Sequence, residues 1–353
     1  MTGFDGIVGH EMVKGHLLHA IGQKRVSHAY IISGEAGCGK KTIADAFVLG
    51  LFCERGSEGP CLRCGACKRL LTGNHPDCIR VTHEKPDSVG VDDIRVQVQD
   101  TIQIRPYSAD YKVYIIDEAH KMTVQAQNAL LKTIEEPPPY GVLLLLSENP
   151  DAFLPTVLSR CVQLTLRPLP DDMVKGYLLG RLGAKEAEAA TVTAFAMGNI
   201  GKAIKLCSSE EFRKMYDELV GLLKEALMPW TGSDPRGWGN TAKPGQSRKA
   251  DIFEMAARIE RLKESGADVQ ECLDFIRMWL RDLLVYKTTG DAGILTFRRE
   301  ADSIREIGAG RSFEELWKGA GAVDEAQSRI KSNVNAQLAL ECMMSELVGA
   351  TAS

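Results

Sequence analysis

Short apolar runs alternate with longer helical patterns over the first half of the chain, and beyond about residue 168 only the helical spacing recurs. The alternation is typical of a parallel sheet covered by helices, and the later pattern is typical of helical domains. We predict strands over residues 29–33, 78–82, 112–117, 142–147 and 162–166. The fold expected is an α/β domain with a five-stranded parallel sheet, followed by α-helical domains.

One helix of the first half shows a clear buried face. Over residues 122–136 apolar positions recur at intervals of three and four residues, which predicts a helix with one buried stripe. Three prolines at 137–139 end it, because proline lacks the amide hydrogen and clashes with the preceding turn. The stripe comprises Ala126, Ala129, Leu130, Thr133 and Ile134.

The length of 353 residues exceeds what one hydrophobic core usually organises, so we expect several domains. Two prolines within residues 167–170 predict a linker. We therefore predict an α/β domain over residues 1–167, a small helical domain over 168–208 and a C-terminal helical domain over 209–353. Within the third, residues 229–245 are polar and rich in Gly and Pro, which predicts a mobile loop.

A glycine-rich segment follows the first predicted strand and opens a helical pattern. Residues 34–42 read Gly-Glu-Ala-Gly-Cys-Gly-Lys-Lys-Thr. In such a loop the glycines let backbone N–H groups surround a phosphate, and a lysine neutralises its charge. The order strand, loop, helix therefore predicts a phosphate-binding loop. Its candidate nucleotide-binding residues are Gly34, Gly37, Gly39, Lys40 and Thr42.

The residue after the loop lysine departs from that motif. A Ser or Thr hydroxyl normally binds magnesium there, and this chain has Lys41. Thr42 lies one residue late, about 100° further around the helix. Two interpretations stay open: the loop holds a nucleotide and its magnesium, or it persists only as an element of the fold. In either case we expect little or no intrinsic ATP hydrolysis.

Two adjacent carboxylates end the third predicted strand. In ATPases with a phosphate loop, an Asp at this place binds magnesium and a Glu serves the attacking water. With the glycine loop upstream, we favour this interpretation of Asp117 and Glu118 over a solvated turn. In a loop without its metal hydroxyl, they either support residual nucleotide binding or hold the loop through local hydrogen bonds.

Four cysteines lie within residues 53–67, three of them at intervals of three residues. Four thiolates can converge on one zinc ion, which prefers a tetrahedral set of sulfur ligands. An iron–sulfur cluster and four reduced, buried cysteines are the alternatives. Because no position would remain for water, we predict a structural zinc ion that fastens an insertion. The ligands would be Cys53, Cys61, Cys64 and Cys67.

Charge limits the class of partner. The chain has 43 Lys and Arg against 47 Asp and Glu, a net charge of −4, which argues against a protein that holds nucleic acid alone through phosphate neutralisation. No apolar run is long enough to cross a bilayer, and the N-terminus lacks the features of a signal peptide. We expect a cytoplasmic protein without membrane contact, whose cysteines stay reduced.

Several stretches resemble the clamp-loader subunits of bacterial DNA polymerase III. They are FDGIVGH (4–10), HAY (28–30), the four cysteines, NALLKTIEEPP (128–138), SRC (159–161), WLRDLL (279–284) and NVNAQLALE (333–341). The resemblance implies an AAA+ domain, a small helical lid domain and a C-terminal collar domain. It also implies a hetero-pentamer with gamma/tau and delta subunits, which acts on a sliding clamp and reaches primed DNA through the complex.

The same resemblance implies a role for Arg160 as a trans arginine finger. In such assemblies the arginine of the Ser-Arg-Cys motif reaches toward ATP bound by the adjacent subunit. A guanidinium suits this role because it is permanently charged, planar and able to form two parallel bonds to phosphate oxygens.

Departures from the active members of that family separate two hypotheses. Lys41 replaces the metal-binding hydroxyl, Gly201 stands where active motor subunits carry a nucleotide-sensing arginine, and the sequence stops after the collar. These departures resemble the delta prime type of subunit, which would support a neighbour's ATP hydrolysis. The alternative is an ATP-hydrolysing motor subunit of the gamma/tau type, favoured by Lys40, Asp117 and Glu118. A zinc-dependent DNA-binding module is the third hypothesis.

Overall fold

The computed structural model of the chain describes residues 3–56, 59–83, 85–228, 248–262, 268–332 and 334–348. The loop predicted over residues 229–245 lies wholly outside them. The chain divides into two compact units, Met1–Tyr177 with Met197–Lys202, and Leu178–Ala196 with Ala203–Ser353. The three domains drawn from the sequence stay a prediction.

Five parallel strands form one sheet in the first unit, in the order β2-β3-β4-β1-β5. This confirms the predicted sheet. Every residue of β1, β3 and β4 is buried, as expected of parallel strands covered on both faces. The strands are β1 Ala29–Ser33, β2 Cys78–Val81, β3 Lys112–Ile116, β4 Gly141–Ser147 and β5 Val162–Thr165.

Helices cover both faces of this sheet, and β1 shows the alternation. Tyr30 and Ile32 belong to one apolar core with Phe47, while Ala29 and Ile31 belong to the other. A π-helical stretch joins α4 to α5. The helices are α1 Glu11–Gly22, α2 Lys40–Phe52, α3 Gly65–Leu71, α4 Val91–Ile94, α5 Asp100–Ile102, α6 Val124–Glu135 and α7 Pro155–Leu158.

Helix α6 matches the helix predicted over residues 122–136, with one difference on its buried face. Thr123 caps its N-terminus by accepting a hydrogen bond from the Ala126 amide at 3.2 Å. Gln127, absent from the predicted stripe, is buried, whereas Ala129 is half-buried. The Gln127 side chain is buried because it bonds backbone atoms, including the Leu154 amide at 2.7 Å.

Helices form most of the residues described after position 168, and these residues contain no strand, as predicted. No described helix is both long and apolar enough to cross a membrane. The helices are α8 Asp171–Leu182, α9 Glu186–Ala196, α10 Ile200–Ser208, α11 Glu210–Leu227, α12 Arg248–Arg261, α13 Val269–Thr289, α14 Ala301–Gly310, α15 Phe313–Lys331 and α16 Ala336–Val348.

Candidate functional site

The carboxyl ends of three neighbouring strands bring the predicted loop and carboxylates to one edge of the sheet. The glycine loop follows β1, Asp117 and Glu118 follow β3, and Glu148 follows β4. Since β3, β4 and β1 are adjacent and parallel, their ends form one crevice, the usual place for a ligand in such sheets. We call this set of residues the cradle.

The glycine loop has the backbone that its sequence requires. Gly34, Gly37 and Gly39 all have positive φ angles, and α2 begins directly after them at Lys40. At Gly34 a Cβ atom would lie 2.8 Å from the Leu166 carbonyl oxygen, so a larger residue would force the backbone to move. The three glycines therefore stand where the loop backbone requires glycine, and phosphate binding by the loop stays a prediction.

Lys40 is buried and turned onto its own loop. Its ammonium donates to the carbonyl oxygens of Gly34 at 2.6 Å and Glu35 at 2.8 Å. The carboxylate of Glu148 lies 3.8 Å from the same nitrogen. The loop lysine is thus satisfied by groups of this chain.

Lys41 forms an ion pair with Asp117. Its Nζ lies 2.5 Å from a carboxylate oxygen of Asp117, and the two side chains are 68% and 34% exposed. Thr42 is exposed, and among the described residues no side-chain hydrogen bond joins it to the cradle. The structure therefore brings Asp117 to Lys41, and it places Thr42 apart from them.

Glu118 is held by a second lysine. The Nζ of Lys121 lies 2.9 Å from its carboxylate and also donates to the Pro86 carbonyl oxygen at 3.1 Å. His83 lies 3.8 Å from the other carboxylate oxygen. The hydrogen bond from Lys121 lowers the pKa of Glu118 below its usual value. A carboxylate held in this way is a weak base.

The segment around Gly201 closes against the glycine loop. The side-chain amide of Asn199 donates to the Ala36 carbonyl oxygen at 2.6 Å, and the Gly201 amide donates to the Gly37 carbonyl oxygen at 3.1 Å. A Cβ atom on residue 201 would lie 2.4 Å from that oxygen. We call these two hydrogen bonds the clasp, and only glycine at 201 permits its present geometry.

Arg160 lies between α7 and β5 with a partly exposed guanidinium. It donates to the Thr156 carbonyl oxygen at 3.1 Å and pairs with the Glu135 carboxylate at 3.1 Å. It also donates to the Ser159 hydroxyl at 3.2 Å. None of these partners belongs to the cradle of this chain.

The four predicted cysteines converge. Their sulfur atoms all lie within 4.8 Å of one another. Tetrahedral zinc with zinc–sulfur bonds of about 2.3 Å requires sulfur separations of roughly 3.8 Å, so small side-chain movements would complete the geometry. The set can therefore hold a metal ion, and four sulfur donors fit zinc.

Backbone amides support the cysteine set. The Cys53 sulfur accepts from the Cys61 amide at 3.3 Å, and the Cys64 sulfur, at the start of α3, accepts from the Cys67 amide at 3.5 Å. Backbone N–H groups of Arg63 and Cys64 lower the pKa of Cys61 to about 6, whereas burial raises the pKa of Cys67. A cation would favour the thiolate form of all four.

Three residues in or next to the cradle were missed by the sequence reasoning. Glu148 follows a central strand, and Lys121 lies three residues after Glu118, so a signal for each existed in the sequence. Asn199 contacts Ala36 from 163 positions away, and no local pattern could have indicated that contact.

The chain is similar to known DNA polymerase III subunits. A family model described as DNA polymerase III, delta subunit, matches residues 9–170. The delta' subunit of Bacillus subtilis is 28% identical, over 92% of this chain and 92% of that protein. The tau subunit of Bacillus subtilis is 28% identical over 93% of this chain, which spans only 58% of tau. The tau/gamma subunit of Haemophilus influenzae is 38% identical over 50% of this chain, which spans 25% of it.

Solved structures are more distant. A gamma subunit-related protein from Thermotoga maritima is 18% identical, with coverage of 95% of this chain and 98% of that chain and a TM-score of 0.43. The family model and the relatives above all name subunits of DNA polymerase III, and the chain is similar to this clamp-loader family.

Proposed function

We propose that this chain is a delta prime type subunit of the clamp loader, which does not hydrolyse ATP at its own cradle. It would join gamma/tau and delta subunits in a hetero-pentamer in the cytoplasm and help to load the sliding clamp onto primed DNA. The observation that carries the proposal is the clasp, in which the Gly201 amide bonds the Gly37 carbonyl oxygen at 3.1 Å.

The clasp opposes catalysis for a steric reason. Active motor subunits are expected to carry an arginine where this chain has Gly201, and any side chain there would collide with the Gly37 carbonyl oxygen. A nucleotide-sensing arginine and this closed loop therefore exclude each other. The glycine loop keeps this closed conformation and lacks the arginine that would contact bound ATP.

The states of Lys41 and Glu118 support the same proposal. The hydroxyl that would bind magnesium is replaced by an ammonium, and the candidate base is engaged by Lys121 at 2.9 Å. Hydrolysis needs a metal at the phosphates and a carboxylate free to position water. This chain offers neither without rearrangement.

Arg160 is the residue through which this chain would support ATP hydrolysis by a neighbouring subunit. The Arg160 side chain is 41% exposed and its partners lie outside the cradle, so it is available to a phosphate held by a neighbouring subunit. In the chain alone, the Arg160 guanidinium pairs with Glu135. Exchanging this carboxylate for a triphosphate would strengthen the electrostatic attraction on the guanidinium. Supplied in trans, such an arginine contributes about 10³ to 10⁵ in rate in GTPases.

The decisive test is ATP hydrolysis by the chain alone and by a loader reconstituted with the gamma/tau and delta subunits of the same genome. We expect no turnover by the isolated chain. We expect Arg160→Ala to assemble normally and to abolish most turnover at the one ATP site that it serves. Arg25→Ala, which removes another exposed arginine, is the matched control. Unchanged DNA-stimulated turnover of the Arg160→Ala loader would refute the finger.

A motor subunit remains the second candidate, because the tau subunit of Bacillus subtilis matches over 93% of this chain and the cradle retains Lys40, Asp117 and Glu118. It predicts magnesium-dependent ATP hydrolysis by the isolated chain that Lys40→Ala abolishes. A DNA-binding role for the cysteine segment predicts binding of the isolated chain to primed DNA at moderate salt.

We also propose that the metal held by the four cysteines is zinc, in a structural role. Four sulfur donors leave no ligand position for water or substrate, and zinc is the metal for which such a set is most common. The ion would fix the insertion between α2 and α3 and take no part in ATP chemistry.

A further inference from the structure

The cradle balances its own charges. Each of the three carboxylates that follow its strands has a lysine partner within 4 Å: Asp117 with Lys41, Glu118 with Lys121 and Glu148 with Lys40, at 2.5, 2.9 and 3.8 Å. Sites that bind magnesium at paired carboxylates leave negative charge for the ion to compensate. Here the described residues supply that compensation themselves.

Lys41 lies where an active phosphate loop would bind its metal ion. Lys41 occupies the helix position that provides the metal-binding hydroxyl in active phosphate loops, and Asp117 occupies the strand position that provides the metal-binding carboxylate. The Lys41 ammonium lies on Asp117 at 2.5 Å. The positive charge of Lys41 therefore lies next to the Asp117 carboxylate, which is the group that would bind magnesium in an active site.

Stability alone does not account for this pair. The Lys41 side chain is 68% exposed, and ion pairs of that kind add little to the free energy of unfolding. The pair has a larger effect on magnesium binding. A magnesium ion would have to displace the Lys41 ammonium or bind Asp117 beside that positive charge. Lys40 cannot retreat to make room, since it is buried and bonded to two carbonyl oxygens.

We propose that the Lys41 ammonium replaces the divalent cation of this site, so that magnesium does not bind at Asp117. This inference rests on the proposed non-hydrolysing function and adds its mechanism. The loss of the hydroxyl would not be simple decay of a motif. The same substitution that removes a metal ligand also supplies the missing positive charge.

Manganese is the probe for this inference, because its paramagnetism reports binding directly in place of magnesium. Binding of Mn²⁺ to the purified full chain, with its cysteine-bound metal retained, is measured by electron paramagnetic resonance. We expect no saturable site at the cradle of the wild-type chain. We expect Lys41→Thr to create one site with at least tenfold higher affinity, and Lys41→Thr with Asp117→Asn to lose it.

Two further variants keep the test decisive. Lys41→Met removes the charge without adding a hydroxyl and should give a weaker site than Lys41→Thr. Lys132→Thr removes an exposed lysine elsewhere and should bind as the wild type does. Equal Mn²⁺ binding by the wild type and Lys41→Thr, or a new site that survives Asp117→Asn, would overturn the inference. Neither result depends on Arg160, so failure here is distinct from failure of the proposed function.

Discussion

The cradle and the cysteine cluster are both binding-site signatures in the same compact unit, and they differ in what satisfies their polar atoms. At the cradle, lysines and backbone groups of the chain itself already engage the loop lysine and both strand carboxylates. At the cluster, four sulfur atoms face one another within 4.8 Å, and a cation is the natural occupant. The four sulfur atoms therefore need a cation to favour their thiolate forms, whereas the charged groups of the cradle are paired within the chain.

Removal of the cysteine-bound metal should have the largest effect. Structural zinc supplies about 10–16 kcal/mol of apparent binding free energy in zinc-finger peptides, so a chelator or Cys64→Ser should unfold the insertion around residues 53–71. Elemental analysis should return about one zinc per wild-type chain, and hydrogen exchange should show the local loss. Cys342→Ser, at an exposed cysteine outside the cluster, is the control. A chain without any metal, or one carrying iron, would contradict the zinc proposal.

Substitution at the clasp should have the next largest effect. Gly201→Ala would place a Cβ 2.4 Å from the Gly37 carbonyl oxygen, and we expect a loss of about 1–3 kcal/mol of unfolding free energy. Alanine otherwise favours a helix over glycine by about 1 kcal/mol, so the sign of the change is informative. Urea unfolding measures it, and exchange of the residue 201 amide reports the broken hydrogen bond.

Gly176 in α8 provides the matched control for that substitution. Apart from the backbone of its own helix, no heavy atom of the described residues lies within 4 Å of a Cβ built there, so Gly176→Ala should stabilise the chain by up to about 1 kcal/mol. If Gly201→Ala stabilised the chain equally, the clasp would not hold the glycine loop. The cradle would then resemble an open nucleotide-binding site.

Sequence reasoning predicted the fold more fully than the state of the cradle. Parallel strands buried on both faces produce continuous apolar runs, so all five strands were found. Gln127 was missed because its burial depends on the Leu154 amide, which lies 27 positions further along the chain. Lys41 was recognised as a lost metal ligand, but its pairing with Asp117 depends on how β1 and β3 place their ends. A buried strand produces a local pattern in the sequence, whereas a contact between residues of different elements produces almost none.

The smallest expected effect concerns the pairing of Glu118 with Lys121. The hydrogen bond from Lys121 lowers the pKa of Glu118 from 4.5, so its stabilisation is complete above that pH and is lost as pH falls through the lower, folded-state pKa. The Glu118 side chain is 39% exposed, and Glu118→Gln should therefore cost less than about 1 kcal/mol at pH 7. The difference between the variant and the wild type should shrink toward zero in acid and in high salt. Carboxyl NMR titration gives the pKa directly. A pKa at or above 4.5 would show Glu118 free to act as a base, and the cradle would then stand closer to an active site.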